Sequence, residues 1–433
     1  MNTNEKWILG CQAPDCGQLA DGFFNVGPMF ADDRDGATPE DSKMQVVYDV
    51  TEADFDVYVA ALKESGICGY LERSQAADKF FAFAQNGKYY HVRFTAKRGE
   101  IRVIEDVIST PIDEFGYTEN GPEKTVFYQY ALYYDPDNAV TDKTVNCGML
   151  YIVKLSDNSL FMIDGGHIYQ SSDEMIEGLW QFLRHITNTS EDGTIRISGW
   201  YCTHAHDDHH NGFTKLLNRY HEQILLERVM FNIPHFSYGG NYALSTFGMK
   251  ETVPYHYPEA KLLKLHAGQI FDIADMTIEV LYAHEDAAEK EDLDRMHLED
   301  FNCTSSILKL TINGEDIMML GDTNVETEVL LQKYSEPNLW KADMVQVAHH
   351  CFNYLDVMYE WIKAPVAVLP NSFDNAHREE NIGKLAGVLK WVKNDQIYYE
   401  SDATYGFVAG EKGFELVEKL PLIGGPYDDS GIL

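Results

Sequence analysis

The sequence predicts a layered α/β protein that carries a small α+β unit near its N-terminal end. Two observations lead to this fold class. Between residues 120 and 425, segments with strand patterns alternate with segments with helix patterns, which is typical of layered α/β folds. Residues 45–115 instead combine one helix pattern with several consecutive strand patterns. Residues 1–44 are rich in Gly, Asp and Pro, and we predict an irregular arm there.

The small unit at 45–115 begins with a strand pattern, QVVYDV, and continues with a helix pattern. Thr51 is a suitable N-cap for that helix, and Gly66 can end it. Alternating segments follow, and Asn86-Gly87 is typical of a tight hairpin turn. Because the unit holds no cluster of catalytic residue types, we expect it to be structural, to flank a substrate site, or to form a homodimer contact.

The larger unit at 120–425 opens with two strand patterns joined by a turn at Asp157-Asn158. A helix pattern follows, for which Ser171 and Glu174 form a capping box. The next strand pattern, TIRISGWYCTH, runs directly into a group of histidines. The helix and strand patterns then continue to alternate toward the C-terminal end.

The chain is strongly acidic, which limits its partners. Its 433 residues include 34 Lys and Arg against 69 Asp and Glu, a formal net charge of −35. Such a chain has no overall field to attract nucleic acid or an anionic membrane, so we expect neither as a partner. We find no signal-peptide pattern and no apolar run of roughly 18 residues, and the seven scattered cysteines favour a cytoplasmic protein.

The segment 203–210 reads Thr-His-Ala-His-Asp-Asp-His-His. After a strand, His204 and His206 can point to one place because alternate residues share a face. The following turn then brings Asp208 and His209 to a second place nearby. Imidazoles and carboxylates are ligands of Zn, Fe and Mn. A solvated polar turn is the other interpretation, but four histidines in seven residues favour two adjacent divalent metal ions.

Further candidate ligands follow two other apolar runs. Asp322 comes after DIMMLG, and His349 and His350 come after ADMVQVA. Polar residues at the carboxyl ends of buried strands are typical of α/β sites. A carboxylate such as Asp322 can bridge both metals, and one of the two histidines can complete the second site. Taken alone, such an aspartate could equally well cap the next helix.

Together these motifs resemble the metallo-β-lactamase fold superfamily, whose hallmark is His-x-His-x-Asp-His, over about residues 125–420. The resemblance implies a four-layer αββα sandwich. It also implies that Asp164 orients the histidine loop, that Asp322 bridges the metals, and that His349 or His350 is the late ligand. Of these two we favour His349. The other implied metal ligands are His204, His206, Asp208 and His209.

Four further histidines are less certain candidates. A third histidine of the first metal site is expected after the strand pattern MTIEVLY, which makes His284 the candidate and His297 a poorer one. The alternatives are that the site lacks this ligand or that His284 lies on the surface. His377 resembles a substrate-facing residue that stabilises or protonates a leaving group, although a polar turn explains it equally well. His167 is a candidate for the pocket wall.

The order of the motifs resembles the lactamase-like domain of DNA-uptake competence proteins and the bacterial phosphorylcholine esterases. Their His-His-Gly segment is His349-His350-Cys351 here, which leaves the shape of the substrate side open. The resemblance implies a metal-bridging hydroxide held by Asp208 and Asp322. We therefore expect a binuclear hydrolase, with Zn preferred over Fe or Mn, that acts on a small anionic phosphodiester or phosphoester. The alternatives are a lactonase, thioesterase or amidase, a competence-type nuclease, and a binding protein with a degenerate site.

Overall fold

The computed structural model describes residues 6–26, 42–106, 110–111, 120–132, 148–234, 247–288, 301–401 and 403–420. Across these ranges, every helix is too short or too polar to serve as a membrane span.

Seven strands near the N-terminal end form one antiparallel sheet. Strands β1 to β7 span Gln18–Leu19, Phe24–Asn25, Lys43–Tyr48, Gly69–Gln75, Asp78–Gln85, Lys88–Thr95 and Glu100–Asp106. Their order is β1-β3-β7-β6-β5-β4, and β2 also pairs with β3. The arm predicted as irregular thus adds two short strands to the small sheet, and the predicted boundary at residue 44 falls inside β3.

Helix α1 (Glu52–Glu64) packs against this sheet through an apolar face that includes Phe55 and Leu62. Thr51 caps the helix as predicted, because its side chain accepts a hydrogen bond from the Asp54 amide while Asp54 bonds back to Thr51. The predicted hairpin turn at 86–87 is also present, and both of its residues have positive φ.

The described residues beyond the small unit form two further sheets and helices α2 to α8. Strands β8 to β23 span Val126–Gln129, Leu150–Lys154, Leu160–Asp164, Ile195–Cys202, Ile224–Leu226, Arg228–Phe231, Lys261–Lys264, Ile270–Ile273, Met276–Tyr282, Ile307–Ile312, Glu315–Met319, Met344–Gln346, Val366–Leu369, Ile397–Tyr399, Thr404–Gly410 and Gly413–Leu420. Helices α2 to α8 span Asp173–Thr187, Asn211–Arg219, Phe247–His256, Val325–Tyr334, Asp356–Ile362, Phe373–Ala376 and Ile382–Leu389.

These elements stack as four layers. The nine-stranded sheet has the order β14-β13-β11-β10-β9-β8-β22-β23, with β12 beside β11, and the seven-stranded sheet runs from β15 to β21 in sequence order. The inner faces of the two sheets share one apolar core, to which Phe161, Tyr201, Ile278 and Leu310 belong. Helices α2, α3 and α4 cover one outer face, and α5, α6 and α8 cover the other. The predicted αββα sandwich is therefore confirmed.

The start of α2 differs from the prediction by one residue. Ser172, not Ser171, is its N-cap, and its Oγ accepts a hydrogen bond from the Met175 amide. The reason is a short 3-10 helix over Ile168–Gln170. Ser171 is the C-cap of that helix, and its hydroxyl donates to the Ile168 carbonyl rather than capping α2. The turn predicted at 157–158 is present, with Asn158 at φ 66°.

Three strands that precede candidate ligands, β11, β18 and β19, each pair in parallel with a neighbouring strand of their sheet. Strands β10, β11 and β13 run parallel in the nine-stranded sheet, and β18 to β21 run parallel in the other. The carboxyl ends of parallel strands lie at one edge of a sheet. The predicted site residues therefore gather where the two sheets open at that edge.

Candidate metal centre

Asp164 ends strand β10 and organises the histidine loop. It is fully buried with φ 59°, and its Oδ1 accepts a hydrogen bond from the Thr203 amide at 2.8 Å. Its Oδ2 accepts from the Thr203 hydroxyl at 2.9 Å and from His209 Nδ1 at 2.8 Å. The carboxylate thus holds the start of the loop and sets which nitrogen of His209 carries the proton.

The glycine that follows Asp164 lets helix α3 approach this loop. A Cβ at Gly165 would lie 2.5 Å from the Phe213 Cβ, and a Cβ at Gly212 would lie 2.5 Å from the Gly165 carbonyl oxygen. The amides of Phe213 and Gly212 donate to the carbonyls of Gly165 and Gly166 at 2.8 and 3.1 Å. The Asp-Gly-Gly sequence therefore packs β10 directly against the start of α3.

One group of candidate ligands joins His204, His206 and Asp322, whose nearest ligand atoms all lie within 4.8 Å of one another. His204 Nε2 lies 3.0 Å from His206 Nδ1 and 3.8 Å from Asp322 Oδ2. The alternation predicted from the sequence thus brings both rings to one place.

A second group joins Asp208, His209, Asp322 and His350. His350 Nε2 lies 3.2 Å from Asp208 Oδ2 and 3.5 Å from Asp322 Oδ1. His209 Nε2 lies 3.3 Å from Asp322 Oδ2 and 3.7 Å from Asp208 Oδ1. Asp322 belongs to both groups, so its two oxygens face two neighbouring positions.

Asp322 is placed by a tight loop after β18. Gly321 precedes it with φ 54°, and the Asp322 amide donates to the Ser305 hydroxyl at 3.0 Å. The Gly321 carbonyl accepts from the Gln346 side chain at 3.0 Å and from the His349 amide at 3.1 Å. These bonds tie the loop of Asp322 to the segment that carries the late histidine.

The structure reverses our preference for His349 over His350. His350 is buried and belongs to the second group, whereas the His349 side chain is 22% exposed and lies 3.9 Å from Asp322. The side-chain amide of Asn353 lies 2.6 Å from His349 Nδ1, and that of Asn302 lies 3.3 Å from its Nε2. The reason is the backbone: residues 349–351 have φ of 45°, 51° and 65°, which turns His350 inward.

His284 is buried, so its placement on the surface is wrong, but neither group found in the described ranges includes it. Its Nδ1 donates to the side-chain oxygen of Asn232. Burial lowers the pKa of His284 to about 3, so the ring is neutral at pH 7 and Nε2 carries a lone pair. No hydrogen bond from the described residues reaches that Nε2. Its role as a metal ligand stays a prediction, and His297 lies outside the described residues.

The two groups fit divalent metal ions. Within the described part of the chain, His209 Nε2, His350 Nε2 and Asp322 Oδ1 are buried without a hydrogen-bond partner. The other nitrogen of each ring donates to a fixed acceptor, Asp164 for His209 and the Pro370 carbonyl for His350 at 2.9 Å. In the neutral form of each ring, these bonds leave the Nε2 lone pair facing the carboxylates, which is the arrangement that metal ligation requires.

Electrostatics lead to the same conclusion. Burial disfavours charge on both rings, but Asp322, Asp164 and Asp208 outweigh it and raise the pKa of His209 well above its usual value. Asp322 and Asp208 do the same to the pKa of His350. The carboxylates therefore favour positive charge between them, which protons on the two rings supply without metal and which bound metal ions can supply instead.

The remaining two candidates lie outside both groups. His377 stacks on Phe373 with ring centroids 3.9 Å apart, and its Nδ1 donates to the Phe373 carbonyl at 2.9 Å. His167 stacks on Tyr169, and its Nε2 lies 3.6 Å from Asp207, the neighbour of Asp208. Burial lowers the pKa of its ring, and the charges of Asp207, Asp208 and His350 also act on it.

Sequence patterns missed a second polar cluster, His91, Asp106 and His266, all buried. His266 donates from both nitrogens, to Asp106 Oδ2 at 2.7 Å and to Glu285 Oε1 at 2.6 Å. Burial opposes its charge, but the two carboxylates raise the pKa of His266 to about 9. These residues lie far apart in the sequence, so no local spacing could have signalled them.

Comparisons with known proteins add similar structures but no relatives in sequence. No protein-family model matches the chain, and no curated protein matches it. One similar structure is the metallo-β-lactamase fold protein YhfI from Bacillus subtilis, at 11% identity and a TM-score of 0.38, over 66% of this chain and 100% of that one. The short form of human tRNase Z matches at 11% identity and 0.33, over 68% and 98%.

CmlA, a diiron β-hydroxylase from Streptomyces venezuelae, matches at 11% identity and a TM-score of 0.34, over 65% of this chain and 53% of its own. Because all these scores are low, the assignment of the fold rests on the chain itself. Its two stacked sheets lie between helical layers, and Asp164, the histidine loop and Asp322 follow one another in the expected order at the ends of strands. The chain therefore forms the four-layer αββα sandwich that its resemblance to the metallo-β-lactamase fold implies.

Proposed function

We propose that the protein is a binuclear metal-dependent hydrolase whose substrate is a small phosphodiester or phosphoester. The observation that carries this proposal is the pair of ligand groups that share Asp322. Two neighbouring metal positions joined by one carboxylate are the arrangement that two-metal hydrolases use. Buried nitrogen and oxygen donors of this kind suit Zn, with Fe and Mn as the other candidates.

In this proposal His204, His206, Asp322 and His284 would hold one ion, and Asp208, His209, Asp322 and His350 would hold the other. When bound, two divalent ions lower the pKa of a water molecule toward neutrality and offset negative charge that develops on the substrate. Asp208 and Asp322 would orient the attacking water, and Asp164, which accepts the Nδ1 proton of His209, would leave Nε2 to the metal. The Asp208 side chain is 21% exposed, so the substrate approaches from its side.

The charge balance supports a small substrate. Asp164, Asp208 and Asp322 contribute three negative charges, and two divalent ions would more than offset them. The rest of the chain remains strongly acidic, so a long polyanion is repelled while a small anion can bind at the centre. The resemblance to phosphorylcholine esterases favours phosphoester chemistry over the lactonase, thioesterase, amidase and nuclease alternatives.

A metal analysis followed by a substrate screen tests the proposal. We expect about two equivalents of metal per chain and hydrolysis of bis-p-nitrophenyl phosphate or p-nitrophenylphosphorylcholine. Asp208→Asn should lose metal and at least a hundredfold in rate. The matched control is Asp207→Asn, because Asp207 is the exposed neighbour outside both groups. Cleavage of lactones or thioesters with both phosphodiesters untouched would overturn the choice of substrate.

A further inference from the structure

The turn that carries His284 is held by the small N-terminal sheet. Arg102, on β7, donates to the carbonyl oxygens of Glu285 at 2.5 Å and Ala288 at 2.9 Å. Arg98 donates to the carbonyls of Asp286 at 2.7 Å and Ala288 at 2.8 Å. Both arginine side chains are buried. The small sheet therefore supports the backbone of residues 285–288 from one side.

A chain of buried hydrogen bonds runs from the same sheet to His284 itself. Asp106 Oδ2, at the end of β7, accepts from His266 Nε2 at 2.7 Å. His266 Nδ1 donates to Glu285 Oε1 at 2.6 Å, and that oxygen also accepts from the Asn232 amide at 3.2 Å. The side-chain oxygen of Asn232 then accepts from His284 Nδ1. Each partner fixes the orientation of the next, and the chain ends on the ring of His284.

The strands place His284 next to the histidine loop. It lies two residues beyond Tyr282, which pairs with Ile307 at the start of β17. The residue before Ile307, Ser306, donates its amide to the Thr203 carbonyl at 3.0 Å. Strand β17 therefore links the segment of His284 to the segment that carries His204, and the buried Nε2 of His284 is the atom left for a ligand.

The His91–Asp106–His266 cluster is a hydrogen-bonded support and not a third metal site. Both nitrogens of His266 are used as donors. His91 Nε2 lies 3.2 Å from Asp106 Oδ2, and its Nδ1 lies 3.2 Å from the Gln269 amide. Lys264 Nζ stands 3.9 Å from Asp106 Oδ1 and would repel a metal ion. Protons therefore occupy the positions that a metal would need.

We propose that the small N-terminal sheet is a support for the metal centre, in which Asp106 and His266 are positioning residues that hold His284 through Glu285 and Asn232. The inference rests on the proposed function, because it takes His284 as a ligand of the first metal. The N-terminal unit thereby influences the metal affinity of a site in the larger unit.

The test is the zinc affinity of the full chain carrying Asp106→Asn, measured by competition with a chromophoric chelator. Cobalt absorption spectra provide a second readout that does not depend on activity. We expect about tenfold weaker binding at the site that includes His284 and unchanged binding at the site of Asp208, His209 and His350, because outer partners of a ligand tune its affinity. His284→Ala should weaken the same site further.

The matched control is Glu279→Gln. Glu279 joins the same two units through Arg73, at 2.6 Å and largely buried, and among the described residues it shares no hydrogen bond with the chain that leads to His284. The control should lower thermal stability without changing either zinc affinity. Equal losses in Glu279→Gln and Asp106→Asn, or equal losses at both metal sites, would mean general destabilisation and would overturn the proposal.

Two further outcomes keep the inference separate from the hydrolase proposal. If His284→Ala leaves zinc binding unchanged while Asp322→Ala abolishes it, the support for His284 is refuted and the hydrolase remains. If Asp106→Asn does not fold, hydrogen exchange of the wild-type chain answers instead. Zinc should slow exchange in β7 more than in β4, at the far edge of the small sheet, since coupling is reciprocal. Equal effects on both strands would refute the inference.

Discussion

At the scale of single residues, the backbone conformation determines which of His349 and His350 faces the candidate metal groups, which the sequence spacing could not determine. The motif predicted that one of two adjacent histidines faces the metals, and either choice satisfied the spacing. Residues 349–351 all adopt the left-handed region, which costs roughly 1–2 kcal/mol for each non-glycine residue. Such strain is common at functional sites, where the surroundings hold it. Here the Asn371 side chain donates to the His350 carbonyl at 2.9 Å, and this bond helps to hold the strained backbone in place.

The first prediction separates the two histidines. His350→Ala should remove about one metal equivalent, because His350 Nε2 lies between Asp208 and Asp322. His349→Ala should keep both metals, because its ring is held by the amides of Asn302 and Asn353 and belongs to neither group. Atomic emission on dialysed protein measures the difference. Loss of metal in His349→Ala alone would restore our original preference.

Two other histidines differ in which ring nitrogen carries the proton. His377 Nδ1 donates to a carbonyl, so its neutral ring offers only a lone pair at Nε2. His167 Nδ1 accepts from the Tyr169 amide at 3.1 Å, so its neutral ring carries the proton at Nε2. Burial lowers the pKa of His167 and favours that neutral form. His167 can therefore donate to an anion from Nε2, whereas the Nδ1 proton of His377 is already bonded to the Phe373 carbonyl.

The second prediction follows from this difference. In His167→Asn, the new side-chain oxygen can still accept from the Tyr169 amide, as at a helix N-cap, but the donor is gone. We expect the affinity of the metal-loaded protein for inorganic phosphate to fall about tenfold, the usual worth of a hydrogen bond to a charged group. Titration calorimetry measures it, with His185→Asn on helix α2 as the control. Unchanged phosphate affinity would exclude His167 from the anion site.

At the scale of elements, the sequence patterns predicted what is long and regular and missed what is short. The strands and helices of the two large sheets follow apolar periodicities over many residues. Strands β1 and β2 have two residues each, too few for alternation to show, and they form only because β3 is there to pair with. The N-cap of α2 differs from the prediction for a similar reason, because Ser171 ends a single 3-10 turn that is too short for the sequence pattern to show.

The third prediction concerns the contact between β10 and helix α3. Gly212→Ala would push a Cβ to 2.5 Å from the Gly165 carbonyl oxygen, a backbone atom that cannot rotate away. We expect a loss of about 1–3 kcal/mol in unfolding free energy, the usual cost of overpacking, together with weaker metal binding. Gly383→Ala on helix α8 meets nothing within 4 Å and should instead stabilise by about 0.5–1 kcal/mol. Denaturant titrations of both variants measure whether the unfolding free energy falls in Gly212→Ala and rises in Gly383→Ala.

At the scale of the whole molecule, the local motifs predicted which residues gather in the candidate metal centre, but they could not predict the contact between the two units. Asp106 and His266 are 160 positions apart, and neither stands in a recognisable pattern. Their meeting depends on how the small sheet docks against the larger unit, which no local periodicity encodes. The candidate ligands were predictable because each follows an apolar strand, and strand ends meet at one edge.

The last prediction is that the docking of the two units depends on pH through His266. The carboxylates of Asp106 and Glu285 accept hydrogen bonds from its ring. The other ionisable groups around the ring are His91, Lys264 and His284. The pKa of His266 in the folded chain is raised to about 9.

Because the folded value is above the unfolded value of about 6.5, His266 stabilises fully below pH 6.5, and this contribution is lost as pH rises through about 9. The shift is worth on the order of 3 kcal/mol. His91 acts in the opposite direction: burial lowers its pKa to about 4, so its contribution is present above pH 6.5 and is lost as pH falls toward 4. Stability should therefore be greatest near pH 6.5–7.

The alkaline side is the clean test when zinc is bound, because protons compete with zinc for its ligands mainly as the pH falls. Unfolding of the zinc-saturated wild-type chain should shift to lower temperature between pH 7 and pH 9. His266→Gln keeps a donor but cannot carry a charge, so it should be less stable at pH 7 and should change much less over the same interval. A parallel decline in both proteins would show that other groups cause it, and that His266 is not the cation that joins the two units.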